Sequence, residues 1–154
     1  MVTAPRVIQT PLDCALADEL RQAVAVMGNM DGVHKGHQIL IAEARKLADH
    51  LGRPLAAIIF EPHPRQVFDP TGDPFFLTSR DQKIALLGEQ GIETVYILPF
   101  NRRLSMLSPR EFVEDILLRV IGLAGVVVGE GFQFGRRRAG TTQVLAEIGE
   151  AAGL

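Results

Sequence analysis

Short apolar runs alternate with longer segments of helical periodicity along this chain. The runs cover residues 23–27, 55–60, 94–98 and 126–128. Continuous apolar runs of this length predict strands of a sheet that is covered on both faces. Each run is followed by a segment long enough for a helix. The order β-α-β-α-β-α-β-α therefore predicts an α/β fold with a doubly wound parallel sheet.

The helices are indicated by apolar spacing and by capping signals. They are predicted over residues 36–51, from 79 to near 91, from 108 to about 121, and over 142–151. The third has the strongest start, with Ser108 as N-cap, Pro109 in the first turn and Glu111 in the capping-box position. Glycines just beyond the first and third helices predict where those helices stop.

The remaining segments are predicted to be irregular. Residues 1–21 contain two prolines and no clear period, so they are interpreted as a leader that precedes a domain over residues 22–154. Residues 61–77 are rich in proline and aromatic side chains, and residues 129–140 are rich in glycine and arginine. Both segments are predicted to be loops that follow strands.

Composition narrows the class of protein. The chain has 154 residues, 47% of them hydrophobic and 22% charged, which is typical of one globular domain. Its net charge of -2 gives no electrostatic reason to expect nucleic acid as a partner. Its single cysteine, Cys14, excludes an intrachain disulfide framework and a cysteine-rich zinc site. Without a membrane-length apolar run or a signal-peptide pattern, a cytoplasmic protein with no membrane partner is expected.

The segment 28–37, Gly-Asn-Met-Asp-Gly-Val-His-Lys-Gly-His, joins the first predicted strand to the first predicted helix. Such a junction favours phosphate, because free backbone N–H groups and the positive end of the helix dipole point at the ligand. Gly32 and Gly36 allow close approach of the backbone. His34 and His37 can donate hydrogen bonds to phosphate oxygens during phosphoryl or nucleotidyl transfer. If the first and fourth strands are neighbours, this loop and residues 129–140 open into one crevice.

Simpler interpretations of these residues stay open. His34 and His37 could be surface residues at a helix start, or a metal pair, although two ligands do not complete a metal site. Asp31 before Gly32 also fits ordinary turn chemistry. The run of three arginines at 136–138 is of a kind that is usually solvated.

Five motifs, in order, carry a resemblance to a known family. They are 28–37, Phe60-Glu61-Pro62-His63-Pro64-Arg65, Leu77-Thr78-Ser79-Arg80 with Lys83, Phe100-Asn101 with Leu107-Ser108-Pro109 and Glu111-Phe112-Val113, and Val127-Val128-Gly129-Glu130-Gly131-Phe132-Gln133-Phe134-Gly135. Together, from about residue 24 to 140, they resemble the FMN adenylyltransferase module of the bacterial bifunctional riboflavin kinase/FAD synthetases. That module has a Rossmann-like nucleotidyltransferase fold.

The resemblance implies a reaction in which ATP and FMN, with Mg²⁺, give FAD and pyrophosphate. It implies His34 and His37 as catalytic residues. It implies ATP or phosphate contacts at Gly28, Asn29, Asp31, Gly32 and Gly36. It implies flavin contacts at Pro62, His63, Pro64, Arg65 and Phe132. No metal site made by protein residues alone is expected.

The chain departs from the family pattern at three positions. Gly131 stands where the family usually has Asp or Asn, Phe76 where it usually has Arg, and Met30 where it usually has Phe. The family's later Ser/Thr-rich signature and its riboflavin kinase barrel have no counterpart up to Leu154. A truncated form of the family's architecture is therefore expected, without kinase activity and with a missing C-terminal half or a completing chain as a partner.

Two other functions remain as alternatives. One is another nucleotidyltransferase of the same superfamily, with a different phosphate as acceptor; the flavin-type loops at 60–65 and 127–135 argue against it. The other is a non-catalytic nucleotide- or flavin-binding remnant, or a gene fragment. Gly131 and the early stop favour that alternative.

Overall fold

Five parallel strands form one sheet in the computed structural model, which describes residues 4–62 and 79–154. In chain order they are β1 (Arg6–Gln9), β2 (Val24–Met27), β3 (Leu55–Glu61), β4 (Thr94–Pro99) and β5 (Gly125–Val128). Across the sheet the order is β1-β4-β3-β2-β5. The parallel α/β sheet is confirmed, and each of the four predicted strands is present with one end shifted by one residue.

Helices connect the strands. They are α1 (Lys35–Leu51), α2 (Arg80–Glu89), the short α3 (Arg102–Ser105), α4 (Pro109–Glu111, continuing as Phe112–Ile121) and α5 (Thr142–Ala152). Both predicted capping boxes are present, since Ser79 pairs with Gln82 and Ser108 with Glu111 in each direction. Gly122 closes α4 in the left-handed conformation.

The sheet separates two apolar layers because successive strand residues point to opposite faces. On one face, Val24 and Val26 of β2 pack with buried residues of α1 and α2. On the other face, Ala25 and Met27 pack with α4 and α5. The central strands are buried on both sides, which explains why they are apolar at every position rather than at alternate positions.

The second part of α4 has π-helical hydrogen bonding over Phe112–Ile121, where the sequence predicts an ordinary helix. Its buried residues repeat every four positions, namely Phe112, Val113, Ile116, Leu117, Val120 and Ile121. An α-helix has about 3.6 residues per turn, so such a stripe would drift around it. These residues nonetheless share the face of α4 that packs with Ala25 and Met27 of β2.

The structure corrects the interpretation of residues 1–21 as a leader. Within them, β1 lies at the edge of the sheet and pairs with β4, from Arg6 opposite Thr94 to Gln9 opposite Ile97. The strand is mostly exposed and short, so its side chains carry no alternating pattern. Backbone hydrogen bonds hold it, including one of 2.9 Å from the Arg6 N–H to the Glu93 carbonyl.

Tyr96 fastens the segment before β2 to the sheet. It lies in β4 with its ring buried, and its hydroxyl donates a 2.5 Å hydrogen bond to the Leu20 carbonyl. Burial raises the pKa of Tyr96, while the positive charges of Arg6 and Arg21 act in the opposite direction. Arg21 itself donates to the carbonyls of Leu118, Arg119 and Val120 at the end of α4.

None of the helices in the described ranges has both the length and the apolar character needed to cross a membrane.

Candidate functional site

The carboxyl ends of β2 and β5 lie side by side, and the space between the loops that follow them is called the crevice below. Met27, the last residue of β2, pairs with Val128, the last residue of β5, and with Ile58 of β3 on its other side. From β2 the chain continues to β3 on one side, whereas β5 lies on the other side of β2. The strand order therefore reverses at β2. Ligands of open α/β sheets bind at such a point. The first and fourth predicted strands are therefore neighbours, and the 28–37 and 129–140 loops leave the sheet from adjacent strand ends.

Two buried side chains anchor the loop after β2. Met30 and Val33 are almost wholly buried in the same apolar cluster as Ile41 of α1. Both have positive φ angles, 55° and 45°, which non-glycine residues rarely adopt. Gly32 between them has φ 76°. Burial of two apolar side chains offsets the cost of this tight backbone, and the loop is held against the carboxyl end of β2.

His34 and His37 are brought together at the start of α1. The backbone of His34 is extended, and His34 is the N-cap, with its Nδ1 accepting a 3.1 Å hydrogen bond from the Gly36 N–H. The two imidazole rings stack with centroids 3.7 Å apart and planes inclined by 22°. His34 is exposed and His37 half-buried. Both rings therefore lie where the positive end of a 17-residue helix meets the crevice.

Asn29, in the loop that precedes this pair, has a buried side-chain oxygen. Its Oδ1 is buried and has no hydrogen-bond partner among residues 4–62 and 79–154. A buried acceptor without a partner is costly, and at a crevice it points to a ligand that donates. Neighbouring Gly28 continues the sheet by donating to the Ile58 carbonyl at 3.1 Å. The side chain of Asp31 lies outside the described part of the chain.

The residues after β3 are placed only in part. Glu61, the last residue of β3, forms a half-exposed ion pair with Arg80 at the start of α2, at 3.4 Å. Pro62 is exposed beside it. The other predicted flavin residues, His63, Pro64 and Arg65, lie outside the described residues, as does Phe76.

The loop after β5 folds back on itself. Phe134 and Gly140 form an antiparallel bridge, and Phe134 is buried against Phe112 of α4, with ring centroids 5.4 Å apart. Phe132 is half-buried and stacks on Phe134 at 6.0 Å and 20°. Of the two alternating phenylalanines, Phe134 is thus the core residue, and Phe132 is the one with surface to offer a ligand.

Two features of this loop bear on its chemistry. Gly131 has φ 82°, and a Cβ built there would meet no described atom within 4 Å. Arg136, Arg137 and Arg138 are all exposed.

Hydrogen bonds from the Ser108 N–H and hydroxyl lower the pKa of Glu111 in α4, and the positive charge of Arg136 adds to that effect.

Aromatic rings form a row from Phe60 of β3 to Phe132 in the loop after β5. From the sequence, a role was predicted only for Phe132 among them. Phe60 in β3 contacts Phe100 just after β4, edge to face at 6.2 Å, and lies 6.5 Å from Phe112. Through Phe134 the row reaches Phe132. Position directly at a strand end was the signal that could have identified Phe60 and Phe100.

Lys83 is a second residue that the sequence did not single out for a role. It is buried on α2, one turn before the buried Leu87 and on the same face. This helix packs against the turn Asp31–Val33. A lysine is rarely buried. Lys83 thus lies on the face of α2 that carries Leu87, which shares an apolar cluster with Met30 and Val33 of the 28–37 loop.

No group of three or more His, Cys, Asp or Glu side chains in the described ranges is arranged to hold a metal ion.

Sequence comparison identifies a family. The sequence model of the FAD synthetase family matches residues 16–154. The chain is 42% identical over 134 residues to a Pseudomonas fluorescens protein named bifunctional riboflavin kinase/FMN adenylyltransferase, covering 87% of this chain and 43% of that protein. Proteins of the same name from Escherichia coli K12 and Bacillus subtilis are 32% and 30% identical over 126 and 133 residues. These matches cover 82% and 86% of this chain, and 40% and 42% of those proteins. The chain therefore spans less than half the length of these relatives.

A structural comparison supports the fold. The chain superposes on a crystal structure titled as a macrolide-efflux protein from Streptococcus pneumoniae with a TM-score of 0.78 and 24% sequence identity. The match covers 92% of this chain and 54% of the other. At this identity the likeness concerns the fold alone.

Proposed function

Because this chain belongs to the FAD synthetase family, we propose that it forms the FMN adenylyltransferase part of such an enzyme. The reaction transfers AMP from ATP to FMN. An oxygen of the FMN phosphate attacks the α-phosphorus of ATP, the bond from that phosphorus to the bridging oxygen breaks, and pyrophosphate leaves with the electron pair. The products are FAD and pyrophosphate. No covalent enzyme intermediate is needed, so the protein positions the reactants and stabilises charge.

The observation that carries the proposal is the stacked pair of His34 and His37 at the N-terminus of α1. Negative charge develops on the phosphate oxygens during the transfer. Ring N–H donors and the positive end of the helix dipole act on that charge in the same direction. We assign the ATP phosphates to this pair and to the backbone of Gly32. Gly28 and Gly36 belong to the same 28–37 segment, and their N–H groups already donate to Ile58 and to His34.

The buried acceptor of Asn29 fits the same ligand. Its Oδ1 has no partner among the described residues, and ATP offers hydroxyl and amino donors. A bound nucleotide that donates to this oxygen would remove the cost of leaving it unpaired. We assign Asn29 to the nucleotide, and Asp31 to the shape of the loop or to the nucleotide.

The flavin is assigned to residues that follow β5 and β3, the two strands that flank β2. Phe132 is half-buried at the free end of the aromatic row, where a flat ring system can stack on it. Pro62 lies at the end of β3, next to β2. With the segment His63, Pro64 and Arg65 that follows it, Pro62 is proposed to hold the flavin and its phosphate.

Mg²⁺ is proposed to enter with ATP. The described residues contain no ready ligand set, and Gly131 supplies no side chain. Mg²⁺ is commonly held by substrate phosphates and water with few protein ligands. When bound, it would neutralise part of the phosphate charge. Because the reaction consumes ATP, we propose that the protein acts in the cytoplasm.

Binding of ATP tests the phosphate assignment. Isothermal titration of ATP–Mg²⁺ into the wild type and into the pair His34→Ala/His37→Ala should show clear loss of affinity in the variant. His50→Ala is the matched control, because His50 is exposed in the last turn of the same helix, at its opposite end. Equal affinity of wild type and double variant would contradict the phosphate role.

Product analysis tests the reaction. FMN and ATP–Mg²⁺ are incubated with this chain and, separately, with a full-length relative as positive control, and FAD is measured by chromatography. Nicotinate mononucleotide and phosphopantetheine replace FMN in parallel reactions, which addresses other nucleotidyltransferases. Gly131 favours one further candidate, a binding protein without catalysis. Tight ATP and FMN binding without FAD would support that candidate.

A further inference from the structure

We propose that Gly36 is a positioning residue that sets the tautomer and the place of the His34 ring. The inference rests on the proposed function, because the ligand that His34 would serve is the nucleotide phosphate. It goes further because it names Nε2 of His34 as the atom that donates to the phosphate. It also names the Gly36 N–H as the backbone group that keeps the proton on that atom.

The hydrogen bond defines the tautomer. The Gly36 N–H donates to Nδ1 of His34 at 3.1 Å, so this nitrogen serves as an acceptor and carries no proton. In a neutral imidazole with an unprotonated Nδ1, the proton is on Nε2. His34 is exposed at the crevice. Its Nε2–H is therefore the donor available to a phosphate oxygen.

The absence of a side chain at position 36 makes room for the ring. A Cβ built on Gly36 would lie 2.9 Å from Cε1 and 3.2 Å from Nδ1 of His34. The first distance is too short for two carbon atoms in contact. The ring also stacks on His37, with centroids 3.7 Å apart. A methyl group at position 36 would push the His34 ring out of its hydrogen bond and away from its stacking partner.

A different explanation of Gly36 makes the opposite prediction. Glycine at such a junction can serve to let the nucleotide itself approach the backbone. In that case Gly36→Ala weakens ATP binding whether or not His34 is present. If Gly36 acts through His34, the effect disappears once His34 is removed. A double-mutant cycle separates the two explanations.

Four proteins test the inference: the wild type, Gly36→Ala, His34→Ala and the double variant. Isothermal titration gives the affinity for ATP–Mg²⁺, and two-bond ¹H–¹⁵N correlation spectra of the free proteins give the tautomer of His34. Gly149→Ala is the matched control, since it also adds a methyl group within a helix but makes an ordinary 3.5 Å contact with Leu154. Alanine favours helix over glycine, so Gly36→Ala is expected to fold.

The expected results are as follows. The wild type shows the Nε2–H tautomer of His34, and Gly36→Ala shifts or mixes the tautomers while Gly149→Ala does not. Gly36→Ala binds ATP roughly tenfold to a hundredfold more weakly, as when a hydrogen bond to a charged group is lost. In the His34→Ala background, the same change has an effect of less than about twofold.

Three results would overturn the inference: an unchanged His34 spectrum in Gly36→Ala, a wild type with the proton on Nδ1, or equal losses of affinity in both backgrounds. Failure of the proposed function is distinguishable. If the wild type does not bind ATP, the phosphate role is wrong and the ligand part of this inference is wrong with it. The spectra then still decide whether Gly36 sets the tautomer.

Discussion

Phe134 and Gly140 exchange two backbone hydrogen bonds, of 3.1 and 2.8 Å, and thereby close the loop that follows β5. The Phe134 ring lies over the Cα of Gly140, so close that a Cβ there would be 2.6 Å from Cε1. The same ring packs on Phe112 of α4. One pair thus connects the loop of the candidate site to the core beneath it.

Gly140→Ala is expected to destabilise the protein. The added methyl group overlaps the Phe134 ring, which is buried and cannot move freely, and overpacking of this kind costs about 1–3 kcal/mol. Urea denaturation of wild type and variant measures the free energy of unfolding. Gly149→Ala, whose new methyl group makes an ordinary contact, serves as the control. A Gly140→Ala protein as stable as the control would contradict the tight contact.

Phe134 is expected to contribute mainly to the stability of the fold, and Phe132 mainly to FMN binding. Phe134 is buried, so Phe134→Ala should lower the free energy of unfolding by about 3–5 kcal/mol. Phe132→Ala should cost less stability but weaken FMN binding by about twofold to tenfold, the range of one aromatic contact. Quenching of FMN fluorescence on titration measures the affinity. Unchanged FMN affinity in folded Phe132→Ala would exclude stacking on this ring.

Gly131→Asp is expected to raise the Mg²⁺-dependent affinity for ATP, or the yield of FAD. A side chain at this position has open space, and aspartate tolerates a left-handed backbone better than most residues. A carboxylate beside the phosphates gives Mg²⁺ a ligand, and we expect about tenfold tighter binding, equivalent to about 1.4 kcal/mol.

Gly131→Ala is the control for this change, because it has the same backbone strain without an oxygen ligand. Titrations of ATP with and without Mg²⁺ on both variants isolate the role of the carboxylate. If Gly131→Asp and Gly131→Ala bind ATP–Mg²⁺ equally, the missing acidic side chain is no handicap in this protein.

Ionisation of Tyr96 is expected to destabilise the fold at high pH. Its pKa in the folded protein is raised above 10.0, so the folded state holds the hydroxyl proton more tightly than the unfolded state. This stability is fully present below the unfolded pKa and is lost as pH rises through the folded pKa. Tyr96 is the single tyrosine of the chain, and there is no tryptophan, so tyrosinate absorbance follows this group alone.

Tyr96→Phe isolates that effect. The variant loses the hydrogen bond to Leu20 and is less stable near neutral pH, but its stability should decline less steeply above pH 10.0. Urea denaturation at neutral and alkaline pH measures both slopes. Parallel curves for wild type and variant, or a tyrosinate midpoint at 10.0, would contradict the raised pKa.

Local signals in the sequence were sufficient for most of the secondary structure. The strand 55–60 is apolar at every position because both faces of β3 are covered, and Ser108 with Glu111 marks the start of α4 through contacts three residues apart. Such patterns need no knowledge of distant residues. The placement of the 28–37 motif between a strand and a helix followed for the same reason, whereas the roles of its residues remain predictions.

Long-range features were not predictable in this way. β1 joins the sheet through its backbone, and a backbone edge has no side-chain signature. The contact of Phe60 with Phe100 and Phe112 depends on which strands are neighbours. The hydrogen bond from Gly36 to His34 joins residues only two apart, yet it depends on the rotamer of His34 and on the ring of His37 that stacks on it.

By itself the sequence determined the α/β class, the ends of most elements and the motifs of the FAD synthetase family, because periodicity, capping and motif spacing act between neighbouring residues. Only the tertiary structure decided the order β1-β4-β3-β2-β5, which brings the 28–37 and 129–140 loops to one crevice. The physical reason is that an apolar strand buried on both faces can pair with any similar strand. The pairing is decided by how the helices pack on the two faces and by which backbone edges are left to form hydrogen bonds.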